Sequence, residues 1–391
     1  MNSNDNVKFY VSCPPGLEQL LAKECSSLNL VHKTPAQKTS EVQKDVTGEE
    51  VGGFEFEGAL ENVFKVNLNS RVASRVVVRL GEFYAAAFSE LAKKASKLEW
   101  GRYLKPGQQV NLRAVCHKSK LYHSDAVIQR VLNAINLHFS SPTKSVLPVT
   151  QSEDGQMILI RFVNDLCTIS IDSSGEHLYK RGYKQAVTKA PLRENLAAAM
   201  ILYSGWDLTS SLIDPFCGSG TIPIEASMIA NKILPGITRE FRFTDWPGFD
   251  KKLWESMLET AKKEIVNSIS SIFGYDRDAG AIEIAQANAA RAGQKNNIKF
   301  TQQAVSYLES PSTTGTIVTN PPYGIRTKDN NDLRDLYARF GTILIEKFQG
   351  WSLVVLSSDD RLTGNLGLGK PICFLQFSNG GIPVKLLKFK L

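Results

Sequence analysis

Hydrophobic and polar positions alternate differently in the front and back of this sequence. The front, up to about Ile171, mixes strand patterns with helix patterns and opens on the strand-like run Val7–Val11. After Pro191 short apolar strands alternate with helix patterns, which is typical of a parallel sheet with crossover helices. The patterns therefore predict an α+β front region, followed by an α/β region with a mostly parallel, doubly wound sheet.

Several elements of the front region can be placed from their periodicity. They are strands at Val7–Val11, Phe54–Glu57, Val76–Leu80, Val110–Cys116, Met157–Phe162 and Cys167–Ile171, and helices at Leu17–Leu28, Leu60–Asn69, Phe88–Leu98 and from Ser124 or Asp125 onward. The stretch from Gly175 to Pro191 is basic and punctuated by glycine, so we interpret it as a linker.

A glycine turn follows the first strand pattern of the back region. The run Ser211–Ile213 is succeeded by Asp-Pro-Phe-Cys-Gly-Ser-Gly-Thr, residues 214–221. In doubly wound sheets such a turn lets the backbone approach a ligand closely, just before the next helix begins. Asp214, at the strand end, can accept hydrogen bonds from the amino group of a bound amino-acid moiety. No G-x-G-x-x-G or G-x-x-x-x-G-K-[ST] occurs, which disfavours an NAD enzyme and an ATPase.

A second carboxylate ends the next strand pattern, Ile272–Asp276. Asp276 can accept from two ribose hydroxyls at once, which is how nucleotide-like ligands are often held. The gap of 56 residues from Gly220 is long for this role, and we interpret the excess as an insertion that includes a helix at Lys251–Ile269. Asp276 could instead cap the helix that ends at Gly293, but Asp278 is better placed for capping.

A polar, proline-stiffened motif follows the strand pattern Thr316–Val318. It reads Asn-Pro-Pro-Tyr-Gly, residues 320–324. The side-chain oxygen of Asn320 and the carbonyl of Pro321 can both accept from an exocyclic NH2, and Tyr323 can stack on a base that has left its helix. Acceptors aimed at the nitrogen stabilise the charge that develops during alkylation, so orientation carries most of the rate without a strong base. The two motifs together predict methyl transfer from S-adenosylmethionine to an amino nitrogen.

Composition and charge narrow the class of protein. The 391 residues are 42% hydrophobic and 22% charged, which is enough for two or three folded domains. The polar start and the lack of a long apolar run predict a cytoplasmic protein without membrane spans. Six scattered cysteines with no C-x-x-C pair argue against a zinc site, and we expect no metal. Residues 100–190 hold 12 basic and 6 acidic side chains, which favours a polyanionic partner.

These motifs resemble those of the THUMP-domain RNA guanine-N2 methyltransferases, closest to the bacterial large-subunit (23S) ribosomal RNA enzymes. The resemblance covers nearly the whole sequence. Its segments are Asp214–Thr221, Gly274–Asp276, Asn320–Gly324, Gly175–Tyr183 and the run Pro-Leu-Arg-Glu-Asn-Leu-Ala-Ala from Pro191. The last two are more specific than the methyltransferase motifs, and in the family they join the RNA-binding region to the catalytic domain.

The resemblance implies a domain organisation, a cofactor and a partner. The implied domains are a ferredoxin-like domain at 1–60, a THUMP RNA-binding domain at 61–173, a linker at 174–190 and a Rossmann-like class I methyltransferase domain at 191–391. The implied cofactor is S-adenosyl-L-methionine and the implied partner is RNA, most simply ribosomal RNA or an assembly intermediate. A predicted hairpin (Cys373–Phe377 and Val384–Phe389) soon before Leu391 leads us to expect a single methyltransferase domain and one methylation.

Predicted cofactor contacts include one departure from the family pattern. In similar enzymes an acid after the third strand faces the adenine, whereas this sequence has Ala304 there. We expect Gln303, or its neighbour Gln302, to contact the adenine amine instead. The full set of predicted cofactor-binding residues is Asp214, Cys217, Gly218, Ser219, Gly220, Thr221, Asp276 and Gln303, and the predicted catalytic residues are Asn320, Pro321 and Tyr323.

Two basic segments are candidate RNA contacts. Lys118 and Lys120 flank the start of the helix near Asp125, where a helix N-terminus favours phosphate, and Tyr122 or His123 could stack on an unpaired base. The other candidates are Arg130 on that helix and Lys180, Arg181 and Lys184 in the linker. Arg181 could equally join the two domains through an ion pair, and the sequence does not separate these roles.

Other functions remain open at this stage. The same amine motif serves adenine N6, and the partner could be transfer RNA rather than ribosomal RNA. The protein could also be an RNA-binding assembly factor that has lost the chemistry, for which Ala304 is the best support. The sequence gives neither the target nucleotide nor the oligomeric state.

Overall fold

The computed structural model describes residues 6–31, 43–44, 50–140, 146–185, 192–323, 330–379 and 382–391. Pro191 and Gly324, both used in the sequence analysis, lie outside these ranges. The described residues form two compact units. The first comprises residues 1–13, 21–178 and 240–258, and the second comprises residues 14–20, 179–239 and 259–391.

The first unit contains an eight-stranded sheet, and four α-helices of the described residues connect some of its strands. Its strands are β1 (Asn6–Cys13), β2 (Gln43–Lys44), β3 (Glu50–Ala59), β4 (Arg75–Tyr84), β5 (Gln109–His117), β6 (Thr150–Gln151), β7 (Gln156–Val163) and β8 (Leu166–Asp172). The helices are α1 (Glu18–Ser27, which crosses the boundary of the units), α2 (Leu60–Asn69), α3 (Phe88–Ala95) and α4 (Ser124–Phe139). The strand order is β2-β3-β1-β4-β8-β7-β5-β6.

Alternation along these strands explains the core of the first unit. Phe9 pairs with Val78, Val78 with Ile171, Ile171 with Ile158 and Ile158 with Leu112, so the five side chains form one row across the sheet. Successive strand residues point to opposite faces, so each member of the row shares a face with apolar residues two positions away. All five are buried, which places the core of the unit on that face.

The second unit contains a seven-stranded sheet. Its elements are α5 (Glu194–Ser204), β9 (Ser211–Asp214), α6 (Thr221–Ala230), α7 (Lys251–Lys263), β10 (Ile272–Asp276), α8 (Ala279–Arg291), β11 (Ile298–Gln302), β12 (Gly315–Thr319), α9 (Asn330–Lys347), β13 (Ser352–Ser357), α10 (Asp360–Gly364), β14 (Cys373–Asn379) and β15 (Ile382–Lys390), with α7 crossing the boundary of the units. The strand order is β11-β10-β9-β12-β13-β15-β14. The first five strands are parallel, and β15 and β14 join as an antiparallel hairpin.

This order confirms the predicted doubly wound sheet. β9 is the first strand of this sheet along the chain. It has β10 and β11 on one side and β12 and β13 on the other. The direction of winding therefore reverses between β9 and β12. Ligands of open α/β sheets bind in the crevice at such a point, outside the carboxyl ends of the strands.

Most predicted elements are present, and two details differ. The helix predicted at Lys251–Ile269 ends at Lys263, and the main-chain N–H of Val266 then donates to the carbonyl of Asn231. Part of the predicted insertion, residues 240–258, belongs to the first unit, where Phe243 stacks on Phe64 with ring centroids 4.4 Å apart. The domain boundaries drawn from the sequence otherwise stay predictions. No helix in the described ranges has the length and apolar composition needed to cross a bilayer.

Candidate active site

The two sequence motifs meet at the reversal point of the seven-stranded sheet. The glycine turn follows β9 and the Asn-Pro-Pro motif follows β12, and these two strands are parallel neighbours paired at Ile213 and Ile317. The hydroxyl of Thr319 donates to Oδ1 of Asp214 at 2.7 Å, which joins the two strand ends directly. The predicted juxtaposition of the motifs is therefore present.

The glycine turn uses backbone conformations that favour glycine. Gly218 has φ +50° and Gly220 has φ +82°, both in the left-handed region. A Cβ on Gly220 would also lie 2.9 Å from the Cβ of Ala285 on α8, closer than real side chains approach. Glycine at 220 thus lets α6 begin immediately at Thr221, with its first turn at the carboxyl end of the sheet.

Backbone hydrogen bonds attach this turn to the end of β10. The N–H of Cys217 donates to the carbonyl of Tyr275 at 2.9 Å, and the N–H of Gly218 donates to Oδ2 of Asp276 at 3.0 Å. The other oxygen of Asp276 accepts from the N–H of Asp278 at 3.0 Å. Asp276 therefore fixes the turn, and each of its oxygens keeps a further lone pair for a ligand.

Asp278, and not Asp276, caps α8. Its side chain accepts from the main-chain N–H groups of Gly280 and Ala281. This confirms the capping role predicted for Asp278. The ribose contact of Asp276 stays a prediction, and the structure adds a second role for that carboxylate in holding the glycine turn.

Asp214 is the last residue of β9 and is almost fully buried. Burial raises the pKa of its carboxyl to about 7, because the charged form loses hydration, and the hydrogen bonds from Thr319 and from the N–H of Phe216 only partly oppose this. Burial, and then the neighbouring Asp214, also raise the pKa of the Cys217 thiol well above its usual value. Cys217 is therefore a neutral packing residue, whose backbone rather than thiolate serves the turn.

The Asn-Pro-Pro motif contains one acceptor that no described residue uses. The side-chain oxygen Oδ1 of Asn320 is buried and has no hydrogen-bond partner among the described residues. A buried, unsatisfied acceptor costs about 1–3 kcal/mol, so it indicates a site where a donor is meant to bind. Next to it Pro321 is buried, which limits how far the motif can shift.

Tyr323 is held at the edge of a hydrophobic cluster. Its ring is half-buried against the cluster that contains Phe340 and Leu366, and its hydroxyl accepts from Nδ2 of Asn379 at 3.4 Å. The hydroxyl of Tyr337 donates to the carbonyl of Pro322 at 3.4 Å. These contacts fix the backbone after Asn320 and hold a half-buried aromatic ring three residues later in the motif.

The segment predicted to meet the adenine runs from Gln302, the end of β11, to Ala304, just before a short 3₁₀ helix at Val305–Tyr307. The N–H of Gln303 donates to the carbonyl of Asp276, and its side-chain nitrogen Nε2 donates to the carbonyl of Tyr307 at 2.9 Å. The side-chain oxygen of Gln303 is thus the group that can accept from an adenine amine. The methyl group of Ala304 offers no hydrogen bond there, and the adenine contact stays a prediction.

Two of the predicted RNA contacts in the linker are corrected by the structure. Arg181 is buried, and its Nε lies 3.5 Å from Oε1 of the equally buried Glu225 on α6. The ammonium of Lys184 donates to the carbonyl of Leu192, and burial lowers the pKa of Lys184. Because these side chains are turned into the second unit, they are not placed to meet phosphate. Only Lys180 of this group is exposed.

The other predicted RNA contacts lie on the surface of the first unit, three in the loop before α4 and Arg130 on α4 itself. Lys118, Lys120, Tyr122 and Arg130 are all exposed, and Tyr122 is 67% accessible. The turn between β7 and β8 supports the loop, because the N–H of Lys120 donates to the Asp165 carboxylate at 2.6 Å.

The end of the same loop begins α4. The rings of Tyr122 and His123 lie 4.0 Å apart, and α4 starts at Ser124, as predicted, without a side-chain cap on its first N–H groups. The guanidinium of Arg130 lies over the ring of Phe88, 5.8 Å from its centroid. An exposed ring pair beside uncapped N–H groups and two lysines suits single-stranded RNA, and this assignment stays a prediction.

Several functional residues were not found from the sequence. Thr319 orients Asp214, Asn288 of α8 donates from Nδ2 to the carbonyl of Ser219 at 3.0 Å, and Glu225 accepts from the Tyr183 hydroxyl at 3.0 Å. Asn288 and Glu225 each interrupt a largely apolar, buried stripe of their helix, and this pattern could have predicted a buried hydrogen-bonding role for both. In the described part of the chain, no group of three or more His, Cys, Asp or Glu side chains could hold a metal ion.

Comparison with family models gives two matches. Residues 181–373 match the model described as RMKL-like, methyltransferase domain, and residues 8–77 match the RlmL ferredoxin-like domain. A putative RNA methyltransferase, slr0064, from a Synechocystis species is 32% identical over 98% of this chain and 96% of its own length. The ribosomal RNA large subunit methyltransferase K/L of Syntrophotalea carbinolica is 31% identical over 98% of this chain. The chain spans about half the length, 54%, of that relative.

Solved structures of similar sequence share the whole architecture. A putative methyltransferase, SMU.472, complexed with SAH superposes with a TM-score of 0.86 at 30% identity and covers 98% of both chains. A predicted N6-adenine-specific DNA methylase from Listeria monocytogenes has a TM-score of 0.84 at 31% identity, over 98% of this chain and 96% of its own. These matches cover both units.

Proposed function

Since the chain belongs to the family of RMKL-like methyltransferases, we propose that it transfers a methyl group from S-adenosylmethionine to the exocyclic N2 amine of a guanine in RNA, most simply in large-subunit ribosomal RNA. The observation that carries the amine assignment is the buried oxygen Oδ1 of Asn320, just after β12, which has no hydrogen-bond partner in the described part of the chain. A donor must satisfy it, and a base amine is a donor of the right size for a site beside a half-buried tyrosine ring.

The residues around the glycine turn fit the methyl donor. Asp214 offers a buried carboxylate to an ammonium group, Asp276 has lone pairs for ribose hydroxyls, and Gly218 and Gly220 let the backbone approach closely. When bound, S-adenosylmethionine supplies an electrophilic methyl group on a sulfonium centre. The relative complexed with SAH, at 30% identity across both chains, supports this cofactor.

The chain's own groups then orient the amine. Asn320 Oδ1 and the Pro321 carbonyl accept from its hydrogens, which aligns the nitrogen and stabilises the positive charge that grows on it. The Tyr323 ring, fixed by the hydrophobic cluster and by Asn379, provides the stacking face for the base.

Ribosomal RNA is supported by the relatives named K/L and by the basic, aromatic loop of the first unit. A second candidate, adenine N6, is favoured by one comparison, the Listeria protein described as a predicted N6-adenine-specific DNA methylase. The same acceptors serve either amine, so the motif alone does not separate them.

Mass spectrometry of nucleosides tests both candidates. Ribosomal RNA from cells lacking the protein should lose one N2-methylguanosine, and the purified chain with S-adenosylmethionine should restore it. Loss of an N6-methyladenosine instead would establish the second candidate. Unchanged methylated nucleosides in both ribosomal and transfer RNA would contradict the enzymatic function.

A further inference from the structure

A hydrogen-bonded network joins the glycine turn to a segment that the sequence analysis treated as linker. We call it the anchoring network, and it consists of Ser219, Asn288, Arg291 and Tyr183. All four residues belong to the second unit. The network leaves the crevice on the side of α8, away from the residues assigned to the target amine.

The first link fixes one peptide of the turn. The Nδ2 of Asn288 donates to the carbonyl of Ser219 at 3.0 Å, and the N–H of Gly220 in the same peptide unit donates to the carbonyl of Cys217 at 2.8 Å. Both polar atoms of the Ser219–Gly220 peptide are thus held. Since Gly220 has φ +82°, rotation of this peptide would change the conformation that brings the backbone to the crevice.

The next links fix Asn288 itself. Its Oδ1 accepts from Nη2 of Arg291, one helical turn later, and Nε of Arg291 donates to the main-chain carbonyl of Tyr183 at 2.8 Å. Because Arg291 holds the amide oxygen, the amide nitrogen of Asn288 must face Ser219. Asn288 is fully buried, so an alternative partner from water is not at hand.

Tyr183, at the end of the network away from the glycine turn, is buried and hydrogen-bonded to α6. The Tyr183 hydroxyl donates to Oε1 of Glu225 at 3.0 Å, and Arg181 lies against the same oxygen at 3.5 Å. Burial, followed by the charge of Glu225, raises the pKa of Tyr183, which stays a neutral donor. Glu225 is in α6, the helix that the turn begins.

We propose that Asn288 and Arg291 are positioning residues for the methyl donor, which hold the glycine turn in its binding-competent conformation against Tyr183. This inference rests on the proposed function, because it assumes that the turn binds the donor. When a binding-competent state is only partly populated, apparent affinity falls by that fraction. The network therefore acts on donor affinity, and not on the chemical step at Asn320.

Calorimetry with S-adenosylhomocysteine tests the proposal on the full chain. Asn288→Asp keeps an acceptor for Arg291 but places a carboxylate against the Ser219 carbonyl, and we expect about tenfold weaker binding. Gln286→Glu makes the same chemical change at an exposed position of α8 and should bind within about twofold of wild type. Thermal unfolding of both variants shows whether the protein remains folded.

Arg291 provides a second, independent variant. Arg291→Met should weaken binding by a similar factor, and Arg291→Lys should recover part of it, because an ammonium can reach only one of its two acceptors. Combining Arg291→Met with Asn288→Asp should add little to Asn288→Asp alone, since both act on one contact. In steady-state assays KM for S-adenosylmethionine should rise while kcat at saturation and KM for RNA stay within about threefold of wild type.

The outcomes separate the two levels of inference. If wild type binds S-adenosylhomocysteine and folded Asn288→Asp binds as tightly as Gln286→Glu, the positioning role is wrong and the proposed function stands. The positioning role would also be wrong if kcat of Asn288→Asp at saturating donor fell by the same factor as its affinity for the donor. If wild type binds no donor, the proposed function fails and the positioning role fails with it.

Discussion

The glycine turn and the Asn-Pro-Pro motif end neighbouring strands of one sheet, yet they treat their polar groups in opposite ways. In the turn, Cys217, Gly218 and the Ser219–Gly220 peptide all hydrogen-bond within the protein. In the motif, Oδ1 of Asn320 is buried without a partner in the described residues. The glycine turn is therefore pre-formed to bind, whereas the Asn-Pro-Pro motif keeps an unsatisfied acceptor for the group that reacts.

Replacing Asn320 should have the largest effect and the narrowest one. Asn320→Ala removes an acceptor aimed at the charge developing on the amine, which typically costs about 10²- to 10³-fold in turnover. Asn320→Asp should be milder, because a carboxylate still accepts from an NH2. Single-turnover rates at saturating cofactor and RNA measure both variants.

Asp276→Ala should lower the affinity for the cofactor rather than the turnover rate. It removes a carboxylate assigned to two ribose hydroxyls and also releases the N–H of Gly218. Hydrogen bonds to a charged group contribute roughly 1.5–3 kcal/mol, so calorimetry should show about 10- to 150-fold weaker S-adenosylhomocysteine binding. Asp278→Ala is the matched control, since it removes only the α8 cap and should cost about 1 kcal/mol of stability with little change in affinity.

Asp214 should make cofactor binding depend on pH. Its folded-state pKa is raised to about 7 by burial, above the unfolded value of 3.8, so it favours the folded state at low pH and loses that contribution as pH rises toward 7. An ammonium ligand binds the ionised form and releases a proton. Affinity should therefore rise about tenfold per pH unit below the folded pKa and level off above it.

Asp214→Asn is the variant that checks this pH dependence. It keeps an oxygen for the Thr319 hydroxyl and the Phe216 N–H but does not ionise. Calorimetry in buffers of different ionisation enthalpy should show proton uptake by the buffer for wild type near pH 6 and none from this site in the variant. A pH-independent wild-type affinity between pH 5.5 and 8 would contradict the assignment of Asp214 to the ammonium.

The smallest effect on function is expected from variants in the loop before α4, outside the glycine turn and the Asn-Pro-Pro motif. Lys118→Ala with Lys120→Ala should weaken RNA binding a few-fold and lower the salt dependence by about one phosphate contact per lysine. Cofactor affinity should not change. Lys295→Ala, an exposed lysine of the second unit, is the control. Equal salt slopes for the double variant and wild type would remove the loop before α4 from the RNA surface.

The sequence predicted the sheet and the two motifs because both depend on local signals. Strand patterns ending in Asp214 and Thr319, left-handed glycines and the Asp278 cap are each read from a few adjacent residues. The parallel direction of the strands follows from the alternation of strands and helices.

Contacts between distant side chains were beyond that reasoning. The sequence left open whether Arg181 contacts RNA or forms an ion pair between the domains; the structure pairs it with Glu225, which belongs to the same unit. The placement of residues 240–258 in the first unit depends on the contact of Phe243 with Phe64, about 180 positions earlier in the chain. The partner in each contact cannot be identified from the periodicity of one element, even where a buried Glu225 stands out in its helix.

We propose that in this enzyme the glycine turn after β9 and Asp276 at the end of β10 bind the methyl donor, whereas Asn320 after β12 orients the target amine. Measuring both the S-adenosylhomocysteine dissociation constant and the saturated single-turnover rate on Asn320→Ala and Asp276→Ala tests this division of roles most directly. The account predicts that Asn320→Ala loses about 10²- to 10³-fold in rate with affinity within about threefold of wild type, and that Asp276→Ala mainly loses affinity. If Asn320→Ala methylates RNA within a few-fold of wild type, the amine site lies elsewhere and the account is wrong.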